Sequence, residues 1–330
     1  MKSLPYAPIP SDGINQWLWV IRKMPPGSTS RTLRLRRVLT KVLRARLGLK
    51  EKITRDIPYN TSPFISSSHI LYKGNLIIER ETVISDKHRS INSISGKHAV
   101  VVVYTPRIVE FYNYIIKHNV NVSNWNVFVI RGNNFFTYKD FEDLEIPFQN
   151  MFIHNLLGTP MVKQKISPLP LGINPNLVSK PGYFELASTT DIFKNKLINS
   201  CKLILMNFDC STNLLARESV IRQLKGSNNI DWVSRIPSTD LFRTYSQYLF
   251  VISPPGAGPD CYRTWEAIYA GAIPIVLDSE TPYFNQHYPL WRVSAWSQLN
   301  YLSASQIREK YLEMVNKNFV IPLTSDFGLD

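Results

Sequence analysis

The chain has 330 residues, 44% of them hydrophobic and 19% charged, with 38 Lys and Arg against 25 Asp and Glu for a net charge of +13. That is apolar material for one large core or two of ordinary size, which excludes a disordered or fibrous chain. No apolar run approaches the roughly 18 residues that span a bilayer, and "INQWLWVIRKM" near the start is too short and wrongly flanked for a cleaved leader.

In chain order, the first predicted element is residues 31 to 50, "RTLRLRRVLTKVLRARLGLK". Eight of them are Arg or Lys and none is acidic, so subtracting those eight from +13 leaves +5 for the rest. Leu35, Val38, Leu39, Val42 and Leu49 recur near the helical period, which predicts a basic amphipathic helix. Three roles fit it: a helix packed on the body with a solvated cationic face, a contact with anionic membrane or polyanionic glycan, or a nucleic-acid site. Without interleaved aromatics, zinc-finger spacing or an RNA-binding signature, no nucleic-acid partner is expected. Cys201, Cys210 and Cys261 are an odd number with neither CxxC spacing nor a matching histidine set, which speaks against a disulfide framework or zinc site and for a reducing compartment. The expectation is a soluble, cytoplasmic protein, with peripheral membrane contact through residues 31 to 50 left open.

Residues 75 to 85, 98 to 106, 126 to 132 and 150 to 155 are short, rich in Val, Ile and aromatics, and bounded by turn residues, as buried strands are. Between the second and third, Ile108, Phe111, Tyr112, Ile115 and Ile116 share one face of a predicted helix over 107 to 119. A second series follows "LPLGINPN", with strands near 202 to 208, 230 to 234, 249 to 253 and 273 to 277 and helices over 213 to 225, 238 to 248 and 261 to 270. Such alternation predicts parallel sheets covered by helices, and two series predict two doubly wound, Rossmann-like α/β domains facing a central cleft. The expected division is a basic extension over 1 to 60, a first domain over 61 to 172 and a second over 173 to 330, hinged near Gly172. The last helical pattern, "SASQIREKYLEMVNKN", is expected to pack back across the first domain.

The stretch "FVISPPGAGPDCYRTWEAIYAGAIPIV", residues 250 to 276, reads as strand, Pro/Gly loop, helix and strand. Asp260 falls where a helix N-cap belongs and Gly271 where a helix stops. The loop then lies beyond a strand's carboxyl end and at a helix N-terminus, where open α/β sheets bind ligands and free amides favour phosphate. Gly256 and Gly258 allow close approach of a ligand to the backbone. Arg263 and Glu266, one turn apart on one helical face, pair a cation for a diphosphate with a carboxylate for ribose hydroxyls. A plain connecting turn with a surface ion pair fits the same residues. The segment lacks the endings of a P-loop and of a complete GxGxxG fingerprint.

The run Ser-Pro-Pro-Gly-x-Gly-x-Asp-Cys-Tyr-Arg-Thr-Trp-Glu-Ala, followed by Gly-x-Ile-Pro-Ile-Val, resembles the donor-site signature of the exostosin-like glycosyltransferases. "ISPLPLGI" (166 to 173) is similar to the element those proteins carry between two domains, and "LILMNFDCSTNLLAR" (203 to 217) resembles their strand with its Asn-Phe, Thr-Asn and Arg succession. The likeness covers roughly residues 150 to 300. It implies a GT-B arrangement and transfer of a sugar from a nucleotide sugar, usually a uridine diphosphate sugar, to a glycan hydroxyl, with inversion and without metal. No cofactor is then required, the nucleotide sugar being a substrate. By the same resemblance Arg263 binds the diphosphate and Glu266 the ribose, while Ser253, Gly256, Gly258 and Asp260 shape the loop around sugar and phosphate. Thr212, Asn213 and Arg217 face the same pocket, with Arg217 a second phosphate partner or, on the residues alone, a helix salt bridge. The lack of an Asp-x-Asp after a strand agrees with a metal-free mechanism, in which helix dipole and arginine stabilise the leaving diphosphate.

An inverting transfer needs a base. Asp86, His88 and His154 in the first half are the candidates, each with a plainer role available: a turn residue or cap, a solvated loop histidine, and a packed histidine at a strand end. Asp278, after the strand "IPIVL", is a further partner for sugar hydroxyls. Two other classes stay open, a different GT-B enzyme such as a fucosyltransferase using a guanosine nucleotide, and a non-catalytic protein of this fold that binds glycan or another polyanion.

Overall fold

The computed structural model describes residues 61–130, 136–142, 144–158, 165–177, 186, 188–233, 235–281 and 287–330. The extension over 1–60, with the basic segment 31–50, lies outside the described residues.

Ser66 caps helix α1 (Ser67–Lys73), its hydroxyl accepting the His69 amide at 3.1 Å. Five strands follow, β1 (Leu76–Ile78), β2 (Ala99–Tyr104), β3 (Trp125–Ile130), β4 (Asn150–His154) and β5 (Ile166–Leu169), all parallel and side by side in that order. Of the expected first strand only Leu76–Ile78 is extended. The rest leaves through a turn in which Glu79 takes the Thr82 amide and gives its own to the Thr82 hydroxyl. β5 escaped the sequence reading because Pro168 interrupts it; as the last strand of the sheet it tolerates a residue with no amide to donate.

One face of this sheet, Val101, Val103, Val127 and Val129, is covered by α2 (His88–Ile94) and by α3 (Ile108–Lys117) through Ile108, Phe111, Tyr112 and Ile115. The other face, with Val102, Phe128 and Ile130, is covered by Ile70 and Leu71 of α1 and by Phe327 and Leu329. So it is the end of the chain that crosses to the first domain, tied by a 2.9 Å contact between His69 Nε2 and the Leu329 carbonyl. The expected helix does form, but elsewhere: α8 (Ala304–Val315) buries Ile307, Tyr311, Met314 and Val315 in the second core.

That second core surrounds β6 (Lys202–Met206), β7 (Ile230–Trp232), β8 (Tyr248–Ile252), β9 (Ile273–Leu277) and β10 (Trp291–Val293), parallel and in the order 10-9-8-6-7. Before it comes α4 (Asp191–Lys194); among the strands lie α5 (Leu214–Leu224), α6 (Leu241–Ser246) and α7 (Tyr262–Tyr269). Two parallel five-stranded α/β sheets of this kind are consistent with two Rossmann-like domains in a GT-B-like arrangement. Within the described strands only the second sheet reverses its order, between β6 and β8; the first runs without a reversal.

The seam between the halves is built at Gly172. It pairs with Ser66 in an antiparallel bridge, the Ile173 amide donates to the Ile65 carbonyl at 2.8 Å, and Phe64 next to them enters the second core against Tyr269. Gly172 has φ +67, and a Cβ there would stand 1.9 Å from the Ile65 oxygen.

Candidate functional site

Where neighbouring strands send their connections to opposite faces, a crevice is left at their carboxyl ends. In the second sheet that place is between β6 and β8. A cleft of about 440 Å³ opens there, lined on one side by Thr105, His154 and Asn155 of the first sheet and by Leu171 and Asn174 of the hinge. Its other wall is Asp209, Thr212, Arg217, Gly256, Gly258 and the start of α7, including Asp260, Arg263 and Glu266.

The loop between β8 and α7 is held from behind. Asn213 caps α5, accepting the Ala216 amide, and its Nδ2 donates to the Gly256 carbonyl at 3.1 Å. Arg217, 4% exposed, donates from Nε to the Pro255 carbonyl at 3.1 Å and from Nη1 to the Asp209 carbonyl. The space beside Gly256 is filled by that guanidinium, 3.0 Å from where a Cβ would stand. Ser253 joins the strand end to α7 through Thr264 at 2.9 Å and Cys261 at 3.2 Å. Ser253 and Asn213 thus brace the loop without lining the cleft.

Asp260 does not cap α7 as expected; Cys261 occupies the N-cap position. The Asp260 carboxylate turns instead to the Leu171 amide at 2.8 Å and the Trp265 indole at 2.8 Å, a buried N–H five residues on. Glu266, likewise buried, accepts the Asn174 amide at 3.1 Å. Both carboxylates therefore touch the hinge.

Two cations meet at the mouth of α7. The guanidinium carbons of Arg217 and Arg263 each lie 5.6 Å from the centre of the Phe208 ring. Burial, and then the charge of Arg263, lower the Arg217 pKa to about 10. Among the described residues neither guanidinium has a carboxylate within ion-pair distance, and the buried Nε of Arg263 has no hydrogen-bond partner. Like charges so placed, at a helix N-terminus, are suited by their electrostatics to an anion.

Burial pushes the Asp260 carboxyl up to about 7, against the Leu171, Trp265 and Cys261 donors, and pushes Glu266 to about 7 against Asn174 and Arg263. A carboxyl raised above its unfolded value stabilises fully below that value, here 3.8 and 4.5, and its contribution is lost as pH rises through about 7. Glu266→Gln keeps an acceptor for the Asn174 amide and cannot ionise. Its melting temperature relative to the natural protein is expected to climb by several degrees between pH 5 and pH 8. A difference that stays flat over that range would show that Glu266 does not titrate there.

The structure separates the expected residues. It brings His154, Thr212, Arg217, Gly256, Gly258, Asp260, Arg263 and Glu266 to one cleft. Asp86 and His88 are not among its lining residues: Asp86 is exposed in a 3-10 turn with Ser85, and His88 bonds to Tyr114 and Asn92 on the helices over the first sheet. Asp278 pairs with Arg292 at 3.4 Å, also outside the cleft. Sequence reading missed Thr105, Asn155, Asn174 and Phe208. Phe208 alone left a signal, as the second residue of the Asn-Phe succession in "LILMNFDCSTNLLAR", with no role assigned to it. Among the described residues no group of three or more His, Cys, Asp or Glu is placed to hold a metal ion, and no helix is long and apolar enough to cross a membrane.

Comparison of the sequence with models of known protein families and with curated proteins finds no match.

Proposed function

We propose that the cleft binds a nucleoside diphosphate sugar and that the protein is a glycosyltransferase of the exostosin-like kind, moving the sugar to a glycan hydroxyl with inversion. The observation that carries this is the pair of guanidiniums over Phe208 at the N-terminus of α7, without a carboxylate partner among the described residues, beside a buried glutamate. Arg263 is the residue for the diphosphate, because its Nε is uncommitted, while Arg217 already spends two donors on the Pro255 and Asp209 carbonyls. Glu266, with one carboxylate oxygen on Asn174, accepts ribose hydroxyls with the other.

In the reaction the acceptor oxygen forms a bond to the anomeric carbon as the bond from that carbon to the diphosphate breaks. The hydroxyl proton passes to His154, the one candidate base that lines the cleft, and the electron pair leaves with the diphosphate. Arg263 and the α7 terminus stabilise that charge. Asp86 and His88 have no part in this step.

Calorimetry with UDP and GDP, followed by assay of UDP-sugar hydrolysis, tests the reading. UDP is expected to bind and GDP to bind more weakly, with detectable turnover. Preference for GDP would favour a fucosyltransferase-like enzyme, and binding of polyanions without turnover a glycan-binding protein. Since helix and arginine neutralise the leaving group, turnover is expected to persist in EDTA. Activity abolished by EDTA and restored by manganese or magnesium would remove the metal-free step.

A further inference from the structure

We propose that Asn155 is the positioning residue through which the first domain sets the donor loop of the second, an inference that rests on the reading of the cleft above. Asn155 follows the last residue of β4 and has φ +58, a left-handed conformation that asparagine accepts more readily than most side chains. Held this way, its side chain crosses the cleft. Oδ1 accepts the Asp260 amide at 3.0 Å. The same side chain fills the space beside Gly258, where a Cβ would stand 2.5 Å from Oδ1 and 2.9 Å from Cγ and Nδ2. The contact is fitted from both partners, an amide at 155 and no side chain at 258.

Gly258 is therefore needed for a reason the sequence did not disclose. Apart from any approach of ligand to backbone, it leaves room for a residue 103 positions earlier in the chain. Asp260, whose amide Asn155 receives, also takes the Leu171 amide from the hinge and the Trp265 indole from α7. First domain, hinge and donor helix thus meet on one residue of the loop. His154, adjacent to Asn155, lines the same cleft, so the proposed base and the anchor of the donor loop are one peptide bond apart. The end of β4 keeps the two substrates in register.

The test uses the full chain with Asn155→Gly, which keeps the left-handed backbone, Gly258→Ala, and the two together. Amide hydrogen exchange over residues 254 to 261, melting temperature and UDP affinity are measured for each. Asn155→Gly is expected to speed exchange in the loop and weaken UDP binding about tenfold, the loss of one buried hydrogen bond, while the melting temperature falls by no more than about 3 °C. Gly258→Ala alone is expected to weaken binding more than this and to lower the melting temperature as well. In the double variant the methyl enters the space that Asn155 vacates, so adding Gly258→Ala to Asn155→Gly is expected to cost little further in any of the three. Wild-type loop exchange in Asn155→Gly, or a Gly258→Ala penalty unchanged by the loss of Asn155, would overturn the proposal. If the natural protein binds no UDP, the functional reading fails, and exchange and melting of the three variants still decide the role of Asn155.

Discussion

Gly172→Ala is expected to lower the melting temperature by about 10 °C, or to leave most of the protein insoluble. Two costs add. The residue sits at φ +67, which is worth roughly 1 kcal/mol against a side chain. A Cβ would also stand 1.9 Å from the Ile65 oxygen and 2.4 Å from its carbon, a collision of backbone with backbone that no rotamer relieves. Relief requires opening the bridge between Ser66 and Gly172 and the 2.8 Å bond from the Ile173 amide, which hold the seam where Phe64 enters the second core. Overpacking of that kind brings the total to the order of 4 kcal/mol. Gly226→Ala separates the two costs, since Gly226 has φ +97 but nothing within 4 Å of its added Cβ. A loss of about 2 to 4 °C is expected there. Equal melting of the two variants would mean that contact with Ile65 contributes nothing beyond conformational strain.

The hinge was legible as "PLPLGI", but its mechanical meaning was not. A glycine between two apolar series marks a bend; that no Cβ fits there against the Ile65 backbone depends on a residue 107 positions away. The same limit runs through the rest of the molecule. β2, β3, β6, β8 and β9 are apolar runs because their sheets are covered on both faces, so composition alone discloses them. β5 and β10 lie at sheet edges, where a proline is tolerated in one and three residues suffice for the other, and neither leaves a pattern. Asn213, expected to face the pocket, instead caps α5. Asp260 was expected to cap α7, yet the buried Trp265 indole and the Leu171 amide claim its carboxylate. Local rules predict what a side chain can do, and the tertiary partners decide which of those things it does.

Arg263→Ala is expected to weaken UDP binding about a hundredfold while leaving the melting temperature of the ligand-free protein unchanged or slightly higher. A charge-assisted contact to a diphosphate, formed at a helix N-terminus and away from bulk water, accounts for a loss of that size. The stability half of the expectation follows from what Arg263 does without ligand. Its charge lowers the pKa of the buried Arg217, so the two cations oppose each other, and among the described residues no carboxylate is paired with either. Against this stands a hydrogen bond to Tyr245 and the favourable charge of Glu266, which remove most of the gain from deleting it. Arg217→Ala is expected to differ in its effect on stability. It removes the donors that hold the Pro255 and Asp209 carbonyls and empties a buried space beside Gly256, so the melting temperature falls by about 5 °C or more, and UDP binding weakens because the loop is no longer shaped. Arg263→Lys keeps the charge without the planar fork and is expected to fall between. Thermal melts of the three variants with and without UDP distinguish a residue that binds from one that builds. An Arg263→Ala protein that melts several degrees lower without ligand, yet binds UDP as the natural protein does, would place the anion elsewhere and return Arg263 to the scaffold.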